Sequence, residues 1–238
     1  MKKIFVLNLV ILSLIITTKV FAQGFIKEIE GEGLAALYGN ECIVTLKSGD
    51  VIHGKFTGGS SSNNGLNKIT VKLENGEKVK YTAEDVVLLK IKCSELAKMF
   101  MITDATVSVK EMTNTDFNEI VNREYLIFEE ALLAKKADKL SLLQLLNPGF
   151  DSKIKVYPTS EKTMGMSMGG INITGGSDKS YQFVKGGQKA FKVSKGDYKK
   201  DFESIYGDCP EMVSRVKGEK IKWEDVAAHV FIYDQLCK

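Results

Sequence analysis

The chain has 238 residues, with 33 Lys+Arg against 30 Asp+Glu. Lys2, Lys3 and Lys19 fall in residues 1–22, which hold no acid, so the rest of the chain is formally neutral. It therefore lacks the basic surplus with which a nucleic-acid binder neutralises phosphates, and a composition 44% hydrophobic and 26% charged excludes a disordered or collagen-like chain.

The first 22 residues read as a secretory signal peptide. Lys2 and Lys3 make a positive start, and Ile4 to Ile16 is a run of 13 mostly apolar residues broken by Asn8 and Ser13. Val20-Phe21-Ala22 suits a cut before Gln23. The run is short of the roughly 20 residues that cross a bilayer, so removal is expected rather than anchoring. With no cysteine at the cut, no lipid anchor is indicated, and no later stretch is apolar enough to span a membrane. An exported protein, periplasmic or secreted, is expected. In an oxidising compartment the four cysteines Cys42, Cys93, Cys209 and Cys237 suggest disulfides, and four allow three pairings. None forms a C-x-x-C pair, so neither a zinc knuckle nor a thioredoxin-like centre is indicated.

Gly24 to Gly39 can be a lead-in helix or strand. Cys42 to Phe56 reads as two strands about a turn at Ser48-Gly49-Asp50. Gly58 to Gly65, rich in Gly, Ser and Asn, predicts a mobile loop; without a lysine and a following helix it is no phosphate-binding loop. Ile69 to Leu73 alternates as a half-buried strand does, Asn75-Gly76 signals a hairpin to Val79 and Tyr81, and Val86 to Cys93 is a further strand. Five short strands predict a small β-barrel over residues 23–97, of the SH3-like or Sm-like kind. First and last strands often adjoin in such barrels, which makes Cys42 and Cys93 plausible partners.

Residues 98–193 predict a second antiparallel sheet. Ala105 to Val109, Tyr125 to Phe128 and Lys153 to Tyr157 read as strands; Leu140 to Leu146 is strand or helix, stopped by Asn147-Pro148-Gly149. Ser180 to Val184 and Ala190 to Val193 flank a turn at Gly186-Gly187. Residues 194–238 predict helices. Tyr198, Phe202 and Ile205 repeat at helical spacing, and Asp208-Cys209-Pro210-Glu211 reads as a helix start with Asp208 as the cap. A last helix runs from about Glu224 to Leu236, with Val226, Val230, Tyr233 and Cys237 on one stripe. Cys209 and Cys237 lie at adjoining ends of an antiparallel helix pair, so Cys209–Cys237 with Cys42–Cys93 is the expected connectivity.

Leu143-Gln144-Leu145-Leu146-Asn147-Pro148-Gly149-Phe150, Lys155-Val156-Tyr157, Thr174-Gly175-Gly176, Lys179-Ser180-Tyr181, Gly207-Asp208-Cys209-Pro210-Glu211 and Tyr233-Asp234-Gln235-Leu236-Cys237 resemble a group of uncharacterised secreted proteins of the Bacteroidota, over most of the mature chain. The resemblance implies export and a paired C-terminal cysteine couple, and it transfers no site residue. The barrel region is similar to SH3-like and Sm-like sequences through its Leu46-x-x-Gly49-x-x-x-x-Gly54 pattern.

Three constellations could carry chemistry. Gly165-Met166-Ser167-Met168-Gly169 fits the G-x-S-x-G elbow, and Asp201 or Asp225 and then His229 follow in hydrolase order. The elbow needs a helix after the serine, whereas a glycine-rich, β-branched stretch follows. Met164, Met166 and Met168 alternate and offer soft sulfur to Cu(I). Asp225, His229 and Tyr233 are spaced one helical turn apart, which supplies too few metal ligands and suits an acid orienting a half-buried histidine. His53 reads as a strand residue on the barrel surface or rim. Trp223, among Tyr198, Phe202, Tyr206, Phe231 and Tyr233, is either helical core or an anchor for a partner.

The sequence thus predicts an α+β, β-rich fold: a small N-terminal barrel, a second antiparallel sheet and a disulfide-closed helical hairpin. It indicates no cofactor and no nucleic acid. The favoured function is a non-enzymatic binding or interaction module of the cell envelope, with a protein or small-molecule partner. An envelope hydrolase using Ser167 and His229, and a Cu(I) or small-ligand carrier using the Met164–Met168 loop, are the alternatives.

Overall fold

The computed structural model describes residues 24–29, 32–62, 65–106, 112, 115–133, 136–159, 167–168, 171–172 and 180–237; the expected signal segment lies outside them. The fold is α+β, with a closed barrel, a second antiparallel sheet and a C-terminal helical region holding a disulfide.

Seven strands form the first sheet: β1 (Glu41–Leu46), β2 (Val51–Ser62), β3 (Gly65–Lys72), β4 (Lys78–Thr82), β5 (Val86–Lys92), β6 (Tyr125–Leu133) and β7 (Lys136–Gln144). They pair antiparallel in the order β2-β1-β5-β6-β7-β3, and the β2–β3 pairing closes six of them into a barrel; β4 adds to the edge of β3. Alternation drives this arrangement. Val44, Phe56, Ile69, Val71, Leu89 and Leu142 point inward and are fully buried, and the residues between them face outward.

The expected strands β1 to β5 are present, and β1 does pair with β5. The barrel, however, does not end near residue 97. The twelve-residue β2 bends through two register shifts and reaches only β1 and β3, so five strands leave a gap between β5 and β3. The β6–β7 hairpin fills that gap. The loop expected over Gly58 to Gly65 is instead largely strand. Glycine permits it: a Cβ on Gly59 would stand 2.9 Å from Leu66 and 3.3 Å from Phe56.

Among the described residues β7 meets β3 at one rung, Leu66 opposite Leu142. Beside it, a Cβ on Gly65 would meet Ser141 Cβ at 2.5 Å and Leu143 Cδ2 at 2.8 Å. Gly65→Ala is therefore expected to destabilise by roughly 1–3 kcal/mol, the usual cost of overpacking. Gly196→Ala, where a Cβ would meet nothing within 4 Å, is expected to stay within about 0.5 kcal/mol. Equal midpoints for the two variants in urea unfolding would refute the closure argument.

Helices α1 (Glu32–Ala35), α2 (Glu95–Ala105) and α3 (Phe117–Asn122) accompany the barrel. Ser94 caps α2 by accepting the Ala97 N–H at 3.1 Å, and Ala97, Met101 and Ala105 form its buried stripe. Ala105 thus ends a helix and does not begin the strand expected there; residues 107–109 lie outside the described residues.

The second sheet has the order β12-β11-β8, from β8 (Ile154–Pro158), β11 (Ser180–Lys185) and β12 (Phe191–Ser194); β9 (Ser167–Met168) and β10 (Ile171–Asn172) pair separately. Gly186 and Gly187, both at positive φ, turn the β11–β12 hairpin as expected. Helices α4 (Tyr198–Tyr206), α5 (Pro210–Arg215) and α6 (Val226–Leu236), the last preceded by a 3-10 turn at Trp223–Asp225, share a second core with this sheet. Cys209 and Cys237 are disulfide-bonded, with Cα atoms 5.6 Å apart, joining the start of α5 to the end of α6. Among the described residues no helix is long and apolar enough to cross a membrane.

Two features tie barrel to second sheet. Ala131 and Leu143, on the barrel exterior, pack with Leu145 and Tyr157, and Glu129 accepts hydrogen bonds from Lys155 Nζ and from the Tyr157 hydroxyl at 2.8 Å. The N-terminal segment spans both cores. Ile26 and Ile29 enter the barrel core, whereas Phe25 packs on Phe150 and Tyr181. Its backbone is fixed by Ile26 N–H to Leu146 O at 2.7 Å, and by Gln144, which accepts from Ile29 N–H and donates to Lys27 O.

Candidate binding surface

The histidine singled out in sequence lies within the second core. The α6 stripe of Val226, His229, Val230 and Tyr233 is buried in the second core, where His229 and Tyr233 pack on the α4 aromatics. His229 is 4% exposed; its Nδ1 is 2.7 Å from the Tyr198 hydroxyl, and Phe202 and Tyr206 pack edge-on against the ring. Tyr198, and not Asp225, therefore orients the imidazole. Burial pushes its pKa below the ordinary value, with Asp225 and Glu219 pulling weakly the other way.

This has a sign that can be checked. The unfolded chain binds the His229 proton more readily than the folded one, so the associated stability is complete above the unfolded value near 6.5 and falls as pH drops towards the depressed folded value. The melting temperature is expected to fall between about pH 7.5 and 5.5 by more in the wild type than in His229→Gln. Parallel losses would show that His229 carries none of the dependence.

The other candidates are distributed differently. Trp223 is half-buried, with one face stacked on Tyr181 at 5.4 Å and Tyr198 edge-on at 5.7 Å, so its ring is part of the core packing. Tyr233 donates to Asp208, whose carboxylate also accepts from Lys185 Nζ at 2.7 Å. Asp208 thus does not cap α5, whose first-turn N–H groups have no side-chain cap. Burial alone would raise the Asp208 carboxyl, but these two hydrogen bonds hold it below its usual range. Ser167 and Met168 lie in β9; Met164 and Met166 fall outside the described residues. Among the described residues no three His, Cys, Asp or Glu gather to hold a metal.

Cys42 and Cys93 are free thiols, contrary to expectation. Their strands do adjoin, but Cys42 stands opposite Ile91, two residues short of Cys93. That diagonal separates Cα atoms by roughly 7–8 Å, whereas a disulfide brings Cβ atoms within about 3.5–4.5 Å. Burial pushes the Cys42 thiol up to about 11 and raises that of Cys93, the latter against the pull of Arg123 and Lys98. Both are weak nucleophiles in consequence.

The feature that sequence inspection missed is on the barrel exterior. One side, along β6 and β7, is covered by the second sheet. The other, across β2, β3 and β4, is open and carries Lys55, Lys68, Lys72, Lys78 and Lys80, all exposed. The register sets Lys55 opposite Lys72 and Lys72 opposite Lys78. Among the described residues none of these five lysines forms an ion pair; the nearby Glu41, opposite Lys55, is bound instead by Lys92 at 2.9 Å. A depression of about 240 Å³, lined in part by Asn40, Glu41, Lys55, Lys92 and Cys93, opens at the β1 end of the row. It is smaller than the roughly 300–1,000 Å³ of drug-sized ligand pockets. His53 is exposed on β2, as expected. The lysine spacing Lys68-x-x-x-Lys72 and Lys78-x-Lys80 about the Asn75-Gly76 turn was the available signal.

Comparison with protein-family models, with curated proteins and with solved structures finds no match to this chain. The roles assigned to its residues therefore rest on their own geometry.

Proposed function

We propose that the protein is an exported, disulfide-stabilised binding module of the cell envelope, acting without catalysis through the outer face of β2, β3 and β4. The observation that carries this reading is the row of five exposed lysines, none of which forms an ion pair among the described residues, with Glu41 beside Lys55 taken up by Lys92. Like charges directly opposite across strands oppose folding, so the row costs stability that a neutral face would keep. Protection of a sheet edge accounts for lysines on β4, but β2 and β3 are paired on both sides and need none. Export is supported by the signal-like residues 1–22 and by the Cys209–Cys237 bond, which suits an oxidising compartment. The hydrolase alternative is disfavoured by His229, whose Nδ1 is engaged by Tyr198 inside an aromatic core.

Photocrosslinking in cells tests the reading. A photoreactive residue at Thr70, between the lysines, is expected to capture an envelope component, and one at Lys199 on α4 to capture none. No adduct at Thr70, in protein found in the envelope fraction with Gln23 at its N-terminus, would overturn it.

A further inference from the structure

Resting on the binding face just proposed, we infer that its occupant is a linear acidic polysaccharide, a chain of uronate-bearing sugars lying across the strands. Three observations select that class. The first is the shape of the charge. Strands lie about 4.7–4.9 Å apart, so Lys55, Lys72 and Lys78 place three ammonium groups along roughly 10 Å, with Lys80 and Lys68 one and two rungs to the side.

The second is the boundary of the band. The β3–β4 turn carries exposed Glu74 and Glu77, and the β4–β5 turn exposed Glu84 and Asp85. A planar anionic membrane pressed on this face would meet carboxylates at both ends of the hairpin. A thin chain running from Lys78 through Lys72 and Lys55 towards the depression at Glu41 and Lys92 passes between them.

The third is the chemistry of the outward positions. On β3 and β4 they hold lysines, Thr70 and Thr82, and on β2 Lys55, His53 and Ser60; no arginine is among them to grip a phosphate in two-point fashion. Lysine ammonium groups suit single carboxylates, and Thr70 and Ser60 offer hydroxyls to sugars.

The test uses the full mature chain, alginate as the linear polyuronate, and uncharged dextran, phosphatidylglycerol vesicles and oligo(dT) for comparison. Alginate is expected to bind, to weaken with added salt and to be preferred over all three others. K55Q/K72Q/K78Q is expected to lose about tenfold or more in alginate affinity. K55R/K72R/K78R keeps binding, and K195Q/K199Q/K217Q, which removes as much charge elsewhere, binds as the wild type does. Unchanged melting curves establish that each variant is folded. Should vesicles or oligo(dT) bind through the same lysines while alginate does not, the polysaccharide is wrong and the binding face stands. Alginate affinity indifferent to K55Q/K72Q/K78Q overturns the assignment of the site. Absence of binding to every polyanion overturns both.

Discussion

Asn147→Ala is expected to lower stability by roughly 3–5 kcal/mol, more than any surface change. Asn147 is fully buried, and its side chain satisfies three backbone groups. Its amide donates to the carbonyls of Phe150 and Ile154, each at 2.8 Å, and its Oδ1 accepts the Val156 N–H at 2.8 Å. Removing it leaves two buried carbonyls and one buried N–H without partners, at about 1–3 kcal/mol each, reduced by whatever water enters. Asn147→Asp is expected to be worse still, because it turns an acceptor towards two carbonyls and buries a charge. Urea unfolding followed through Trp223, the single tryptophan, reports the change directly from the second core. A loss below about 1 kcal/mol would show that the turn holds itself without the side chain.

Reduction of Cys209–Cys237 is expected to have the next largest effect. The two residues are 28 apart, and a loop of that size corresponds to about 3–4 kcal/mol in the chain-entropy model. For a chain of this length that amounts to a fall of roughly 10 °C in melting temperature. The bond closes α5 and α6 over Met212 and Tyr233, so dithiothreitol and the C209A/C237A variant are expected to produce the same shift. Cys42 and Cys93 are already thiols, and C42S/C93S leaves the response to dithiothreitol in place. A melting curve insensitive to reductant would mean that the helical pair is held by packing alone.

How far the fold could be read depended on the range of each interaction. Asn75-Gly76 and Gly186-Gly187 set their hairpins locally, and both appear where the turn chemistry places them. Cys209 and Cys237 needed only an antiparallel helix pair. Asp208 looked like a cap because its partners, Lys185 and Tyr233, are more than twenty residues away and give no local sign. Cys42 and Cys93 illustrate the same limit in a sheet: adjacency of the strands followed from the barrel, but the two-residue offset that separates the thiols depends on register. The lysine row is a register effect across three strands. The closing strands β6 and β7 come after α2 and α3, so nothing in the run of five alternating segments announced that the barrel was unfinished. The buried state of His229 likewise came from Tyr198, 31 residues earlier.

The N-terminal segment imposes an order of events. Ile29 and Lys27 bond to Gln144 across 115 and 117 residues, and Phe25 waits for Phe150 and Tyr181. A chain made from its front end has released these residues long before their partners exist. The segment therefore stays undocked through most of synthesis and seats only after the chain has passed residue 181. Its seating is a late step that joins the two cores, and until then Phe25, Ile26 and Ile29 remain in water.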